Sequence, residues 1–207
     1  MVIIEIKTVE NEIDLKRLFN FFSKTFYIEA TNNNKHYYNM GDRYKEMQEQ
    51  NIIDKDMLMY IEVNDNIIAG IVGKNMNTLN KSITMGILAV TMSERDKGVA
   101  KLLIGEFENR CIKKGISHIK LGSRFRAASL YKKLNYNFTL MVQVFDFATT
   151  KDIRKNNKYS LKEKDFYQGD TYGFIIYYVD DINEKYITNF EKDVETAHVQ
   201  YLFEKDL

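Results

Sequence analysis

Residues 83–114 narrow the possible folds most. An apolar run, ITMGILAV at 83–90, leads through a short turn, TMSE, into RDKGVAKLL, the start of a long amphipathic stretch. The run has the length and β-branched content of a buried strand. From 95 to 114 apolar residues recur in steps of three and four, at Val99, Leu102, Leu103, Phe107 and Cys111. That spacing gives a helix with one apolar face, and Gly115 is placed to end it. A buried strand feeding straight into an amphipathic helix needs a sheet with helices laid on it, an α+β or α/β domain. The helix start also carries a chemical implication. Its first N–H groups lack intrahelical acceptors and hold a partial positive charge. Gly98 and Ala100 are small enough for an anion to approach the backbone, while Val99 between them points to the core. The chemistry suits a phosphate or pyrophosphate. By itself a glycine at a helix start is a weak signal, because close packing on a sheet asks for the same residue.

The flanking segments fit such a domain. Residues 2–9 and 57–63 read as strands, as does 67–73, joined to 57–63 by the tight turn Asn64-Asp65-Asn66. A helix is predicted from Asn11–Asp14 through IDLKRLFNFFSKTFY, a loop at 31–35, and a more polar helix at 40–54. Strand 118–123, helix 126–134 and strand 138–147 follow. Residues 151–165 are lysine-rich without apolar period and read as a surface loop. A strand at 171–179, a helix at 182–194 and a last strand at 198–203 complete the chain. There is no internal repeat.

Composition excludes several classes. Hydrophobic residues make up 44% and aromatic residues 13% of 207, too much for a disordered chain. A net charge of +1, from 30 basic and 29 acidic residues, gives no global pull toward nucleic acid or an anionic membrane. One cysteine, Cys111, forbids an internal disulfide and fits a reducing, cytoplasmic setting. The N-terminus MVIIEIKTVE carries acids within its apolar stretch, unlike a signal peptide. No apolar run approaches the ~20 residues of a membrane span. The histidines His36, His118 and His198 are scattered, so no metal is implied.

Arg95-Asp96-Lys97-Gly98-Val99-Ala100 resembles the phosphate-binding motif of the GNAT superfamily of N-acetyltransferases, Gln/Arg-x-x-Gly-x-Gly/Ala. Further on, Ala127-Ala128-Ser129-Leu130-Tyr131-Lys132-Lys133-Leu134 is similar to that family's Ala-x-x-Leu-Tyr-x-x-Leu helix. The resemblance covers roughly 2–147 and extends to the final strand. It implies a mixed, mostly antiparallel sheet flanked by helices, with splayed fourth and fifth strands. It also implies one domain over 1–207, with a segment at about 148–196 inserted before the last strand. Acetyl-CoA is the implied co-substrate. Backbone groups of Leu88, Ala89 and Val90 are expected along the pantetheine arm. Arg95, Asp96, Lys97, Gly98, Val99, Ala100 and Lys101 form the pyrophosphate loop, with the N–H groups of Lys97 to Lys101 on the anion. Tyr131 is expected to protonate the leaving thiolate, a role suited to a phenol whose ordinary pKa, about 10, exceeds that of a thiol.

The sequence departs from the family in places. Arg124 stands where asparagine often contacts the pantetheine arm, so it could reach a phosphate or face water. Asn135 replaces the glycine after the helix, a change the turn tolerates because asparagine enters the left-handed region. Relatives often draw the amine's proton to a strand glutamate, yet no carboxylate lies between Lys81 and Ser93. Glu62 is one candidate base, against the reading of a solvent-facing strand residue. His198 is another, although a lone histidine is more often ordinary surface or core. Tyr131 itself could be plain core packing, and Cys111 on the helix stripe reads as core. His36, Tyr37 and Tyr38 could line an acceptor pocket. The leading expectation is acetyl transfer to a primary amine, most simply of a small molecule. An acyl-CoA-binding sensor without turnover carries the same motifs. The last strand–helix–strand could supply a homodimer edge.

Overall fold

Asn64 (φ 48°) and Asp65 (φ 61°) both enter the left-handed region at the predicted hairpin turn, and the antiparallel pairing of the first unit grows from it. The computed structural model describes residues 5–33, 41–145, 147–155, 159–169, 172–194 and 197–207. Its strands are β1 (Ile6–Thr8), β2 (Leu58–Val63), β3 (Asn66–Asn77), β4 (Ser82–Val90), β5 (His118–Ser123), β6 (Asn137–Val144), β7 (Glu163–Gln168), β8 (Gly173–Tyr177) and β9 (His198–Asp206). Its α-helices are α1 (Glu12–Asn33), α2 (Gly41–Asp54), α3 (Val99–Lys113), α4 (Phe125–Lys133), α5 (Phe147–Lys155) and α6 (Glu184–Asp193). The chain divides into two compact units, Met1–Ile119 with Asp206–Leu207, and Lys120–Lys205.

In the first unit β1, β2, β3 and β4 pair antiparallel in that order. Leu15, Leu18 and Phe22 of α1 and Met47 of α2 pack with Leu58, Tyr60, Val72, Ile87 and Ala89. Fully burying a leucine, phenylalanine or methionine among them is worth roughly 1.5–3 kcal/mol. Gly70 allows this approach: a Cβ there would lie 2.6 Å from Leu18 Cδ1 and 3.0 Å from Phe22 Cζ. A bulge then changes which face of β4 carries its apolar residues. Val72 pairs with Ile87 but Gly73 with Met85, so Gly86 is an extra residue on β4. Past the bulge Ile87 and Ala89 join the α1 core. Before it Ile83 lies with Phe107 of α3 over Gly73. The buried stripe of α3 is Val99, Leu103, Ile104, Phe107 and Cys111. Ile104 takes the place expected for Leu102, which is 45% exposed. Ile104 precedes Phe107 by three and Cys111 by seven, a better helical match than Leu102.

In the second unit the order is β5, β9, β6, β8, β7. β6 runs antiparallel to both β9 and β8, and β7 antiparallel to β8. Here the expected surface loop at 151–165 is corrected: α5 covers its start and β7 begins at Glu163. Arg154 of α5 forks onto Glu163 at 2.9 and 2.8 Å and lies over the Phe166 ring at 4.3 Å. The charges of EKDFYQ suit an edge strand, where they discourage further pairing. Residues 31–33, expected in a loop, extend α1. The remainder of that loop, with His36, Tyr37 and Tyr38, lies outside the described residues, as do residues 2–4. Among the described residues no helix is long and apolar enough to cross a membrane.

Candidate functional site

The backbone at the end of β4 sets the site's geometry. Thr91 N–H donates to Ile68 O at 2.8 Å, so this residue turns toward β3. Backbone polarity alternates along an antiparallel strand. Ala89 therefore also turns to β3, while Leu88 and Val90 direct their N–H and C=O groups to the opposite edge. Arg95 Nε donates to the Val90 carbonyl at 3.1 Å and clasps the turn. Between them Met92–Glu94 forms one turn of 3₁₀ helix. Helix α3 starts later than its apolar spacing predicted, at Val99, because Asp96 (φ 60°) and Gly98 (φ 84°, ψ 0°) are left-handed.

Gly98 is the N-cap of α3 and supplies no side-chain cap. Leu102 N–H is bonded to Gly98 O at 3.0 Å, so the N–H groups of Val99, Ala100 and Lys101 precede the helical ladder. A left-handed residue followed by a helical one turns successive N–H groups toward a common concavity. A Cβ at Gly98 would meet no atom within 4 Å. Close packing therefore does not explain this glycine; its φ does, and a Cβ there would meet open space. No acid stands in the first turn of α3. Lys97 is held by Glu94 at 3.3 Å, and Lys101 is exposed. The arrangement fits an oxyanion of pyrophosphate size.

A cleft of about 380 Å³ lined by Thr8, Asp56, Glu106, Arg110, Lys113 and Lys114 lies at the other end of α3. At 1.5 Å per residue that is roughly 20 Å along the helix from Gly98. Two of its cations are occupied: Arg110 bonds Glu106, Thr8 and the Asp56 carbonyl, and Lys114 pairs with Asp54 and Asp56. The cleft is a structural tie.

Tyr131 belongs to the second unit. It is 4% exposed, with the rings of Phe203 and Tyr136 at 5.1 and 5.7 Å. Burial pushes its phenol up, so it keeps its proton. Asn135 adopts φ 62°, and Tyr136 N–H returns to the Tyr131 carbonyl at 3.1 Å, so asparagine closes this helix as glycine would. Arg124 is partly exposed and held by an ion pair. Its guanidinium forks onto Glu191 of α6, Nη2 at 3.0 Å, and Glu191 also accepts from Val199 N–H at 3.4 Å. Arg124 is 41% exposed, so screening trims the pair. Arg124→Met is expected to cost about 1 kcal/mol, read as a lower urea midpoint; an unchanged midpoint would show the fork idle.

Glu62 is not the solvent-facing residue its alternating strand suggested. Its carboxylate is 8% exposed and bonded by Lys7 at 2.6 Å and by Arg17. Those two hydrogen bonds, one to each oxygen, hold its carboxyl below the ordinary range. His198 opens β9 opposite Gln143. Cys111 is fully buried, and desolvation pushes its thiol up to about 12, which makes it inert core. Sequence reasoning missed the Gly86 bulge, although a glycine inside a strand run is the available signal.

The acetyltransferase (GNAT) domain family matches residues 26–155, which include both the β4–α3 turn and α4. Solved structures of similar fold include Ard1 from Thermoplasma volcanium, 16% identical over 86% of this chain and 97% of its own, with a TM-score of 0.53. They also include the PaiA N-acetyltransferase from Thermoplasma acidophilum in complex with coenzyme A, 16% identical over 86% of this chain and 100% of its own, with a TM-score of 0.54. At that identity the likeness is one of fold. No curated protein sequence matches the chain. A family match over more than half of the chain, laid on the open amide turn at Gly98 and on the Tyr131 helix, shows that the chain belongs to the GNAT family and is an acyl-CoA-dependent N-acetyltransferase.

Proposed function

We propose that the protein moves the acetyl group of acetyl-CoA onto the primary amine of a small molecule by direct attack. The observation that carries this reading is Gly98: left-handed, without a side-chain cap, and with no neighbouring atom where a side chain would stand, at the start of α3. The N–H groups of Lys97 to Lys101 hold the pyrophosphate. Arg95 clasps the turn that presents them, and Asp96 supplies its left-handed bend. The pantetheine arm pairs with the outward-facing backbone of Leu88 and Val90, while Ala89 commits its backbone to β3 and its side chain to the core.

The amine nitrogen attacks the thioester carbonyl. A C–N bond forms, the C–S bond breaks, the nitrogen loses a proton and the sulfur gains one. Tyr131 gives the sulfur its proton. Burial keeps that phenol protonated, and its acidity lies below that of a thiol, so the transfer to thiolate is downhill only in concert with C–S cleavage. Residues 82–92 contain no carboxylate, so β4 offers no base for the nitrogen's proton; released to solvent, that proton balances the one the Tyr131 phenolate takes back once the thiol has formed. Among proteins of this fold, the NatC complex is known bound to Gag peptide and CoA, at a TM-score of 0.52, so protein amines belong in the trial. The test follows thiol release from acetyl-CoA across small amines and N-terminal peptides. Turnover confined to small amines is the expected result. Turnover confined to peptides would move the acceptor to protein, and tight CoA binding without any thiol release would leave only a sensor.

A further inference from the structure

The acceptor nitrogen's proton needs a base that β4 does not carry, and α2 brings one beside that strand. Gly86, the bulge residue of β4, leaves room for the stem of Lys74 from β3. A Cβ at Gly86 would lie 2.9, 3.0 and 3.3 Å from Lys74 Cδ, Cγ and Cε. Lys74 Nζ donates to Glu46 Oε2 of α2 at 3.2 Å, and Arg43 Nη1 donates to the same oxygen at 2.9 Å. Both donors hold one oxygen. Among the described residues nothing donates to the other, Oε1, and the Glu46 side chain is 39% exposed. Glu62 differs, because Lys7 and Arg17 take one of its oxygens each. Burial pushes the Glu46 carboxyl up, but the hydrogen bonds from Lys74 and Arg43 outweigh it and hold it below its ordinary value, so it is ionised at neutral pH.

Position gives this carboxylate a use. Gly86 precedes Leu88 by two residues, about 7 Å along the strand. A pyrophosphate at Gly98 fixes one end of the cofactor, so an arm paired with Val90 and Leu88 runs back along β4 and brings its thioester toward Gly86. The Lys74 stem over Gly86 and its hydrogen bond to Glu46 put that carboxylate within about 8 Å of the Gly86 Cβ position. The opposite face of the sheet is filled there: a Cβ at Gly73, beside the bulge, would meet Ile83, Met57 and Phe107 at 2.7, 3.1 and 3.1 Å. An acceptor reaching Gly86 therefore passes α2. Resting on that reading of the cofactor site, we propose that Glu46 is the catalytic base: its Oε1 takes the acceptor nitrogen's proton, directly or through one water, as the C–N bond forms, and passes it to solvent. Attack leaves the nitrogen positively charged, and its proton is then far more acidic than that of a free ammonium ion, so an ionised carboxylate suffices to accept it. The C–S electron pair leaves with sulfur, which takes its proton from Tyr131. Lys74 and Arg43 act through Glu46 as positioning residues.

Two variants test this, with thiol release from acetyl-CoA measured on putrescine, phenethylamine and L-lysine. Glu46→Gln keeps the shape and leaves an acceptor oxygen for Lys74 and Arg43, but it cannot take the proton. Its kcat is expected to fall about 100-fold, with CoA affinity and melting temperature close to the parent's. Glu46→Ala empties the place of the carboxylate, and added formate is expected to raise its kcat about tenfold, in proportion to formate concentration, while the parent does not respond. Loss of a merely structural contact would not be regained from formate. Parental kcat in Glu46→Gln, or a Glu46→Ala loss that formate leaves unchanged, overturns the assignment and leaves acyl transfer standing. No thiol release by the parent from any of the three amines overturns the base and acyl transfer to small amines together, and failure of the parent to bind CoA overturns the cofactor site on which both rest.

Discussion

Gly98→Val raises the dissociation constant of coenzyme A by about 100-fold, an expected loss near 2.7 kcal/mol that calorimetry reads directly. Two effects contribute, and the structure separates them. The first is conformational. Gly98 sits at φ 84°, where an L-residue costs about 1–2 kcal/mol and a β-branched one more. That cost falls on the turn itself and lowers the melting temperature. The second is occlusion. A valine side chain beside the turn crowds an anion held on the amides of Val99, Ala100 and Lys101, and an anion held beyond contact distance loses charge-assisted hydrogen bonds worth about 1.5–3 kcal/mol each. Gly98→Asn distinguishes the two, because asparagine accepts the left-handed region. It should melt close to the parent yet still bind CoA about tenfold more weakly. Parental CoA affinity in the valine variant would remove the pyrophosphate from this helix.

The β4–α3 turn was legible because it is local. A strand period, a helix period and one glycine between them are all written within about thirty residues, and the family motif lies on the same stretch. Asn135 was legible for the same reason: a helix end needs one residue able to adopt positive φ, and asparagine is the available one there. What stayed hidden depends on partners distant in sequence. Nothing near Arg124 announces that Glu191 would take its guanidinium. Nothing near Glu62 announces Lys7 and Arg17, which turn a candidate base into a paired carboxylate. The chain from Phe147 to Gln168 misled for another reason. An edge strand beside a short helix buries little, as Ile153 and Thr150 do for α5, so its composition resembles that of a loop. Register was the other blind spot. Whether Leu88, Ala89 or Val90 presents its backbone outward depends on which residue of β3 lies opposite, and the Thr91–Ile68 hydrogen bond decides it. A bulge at Gly86 likewise moves Ile83 and Ile87 to different faces, though their spacing alone would place them on the same one.

Tyr131→Phe is the sharpest test of the chemistry, because it removes one oxygen and nothing else. The ring's contacts with Phe203 and Tyr136 survive, and among the described residues the hydroxyl has no hydrogen-bond partner to lose. Stability should fall by no more than about 1 kcal/mol, and CoA affinity should hold. If the phenol protonates the departing sulfur, kcat falls by about 10²- to 10⁴-fold, the usual worth of a positioned general acid. A loss of that size in a protein that melts like the parent cannot come from unfolding. The pH profile gives an independent reading. Burial raises the phenol above its ordinary value of about 10, and the acid is active while it holds its proton. Its contribution is therefore complete at neutral and mildly alkaline pH and is lost only as pH climbs through the raised value. Any limb seen below pH 10 in the parent belongs to another group, the amine's own ionisation first, and should persist in the phenylalanine variant on a lower plateau. Were the variant instead to turn over at the parental rate and only melt earlier, Tyr131 would be an aromatic of the second unit's core, and the sulfur would take its proton from solvent.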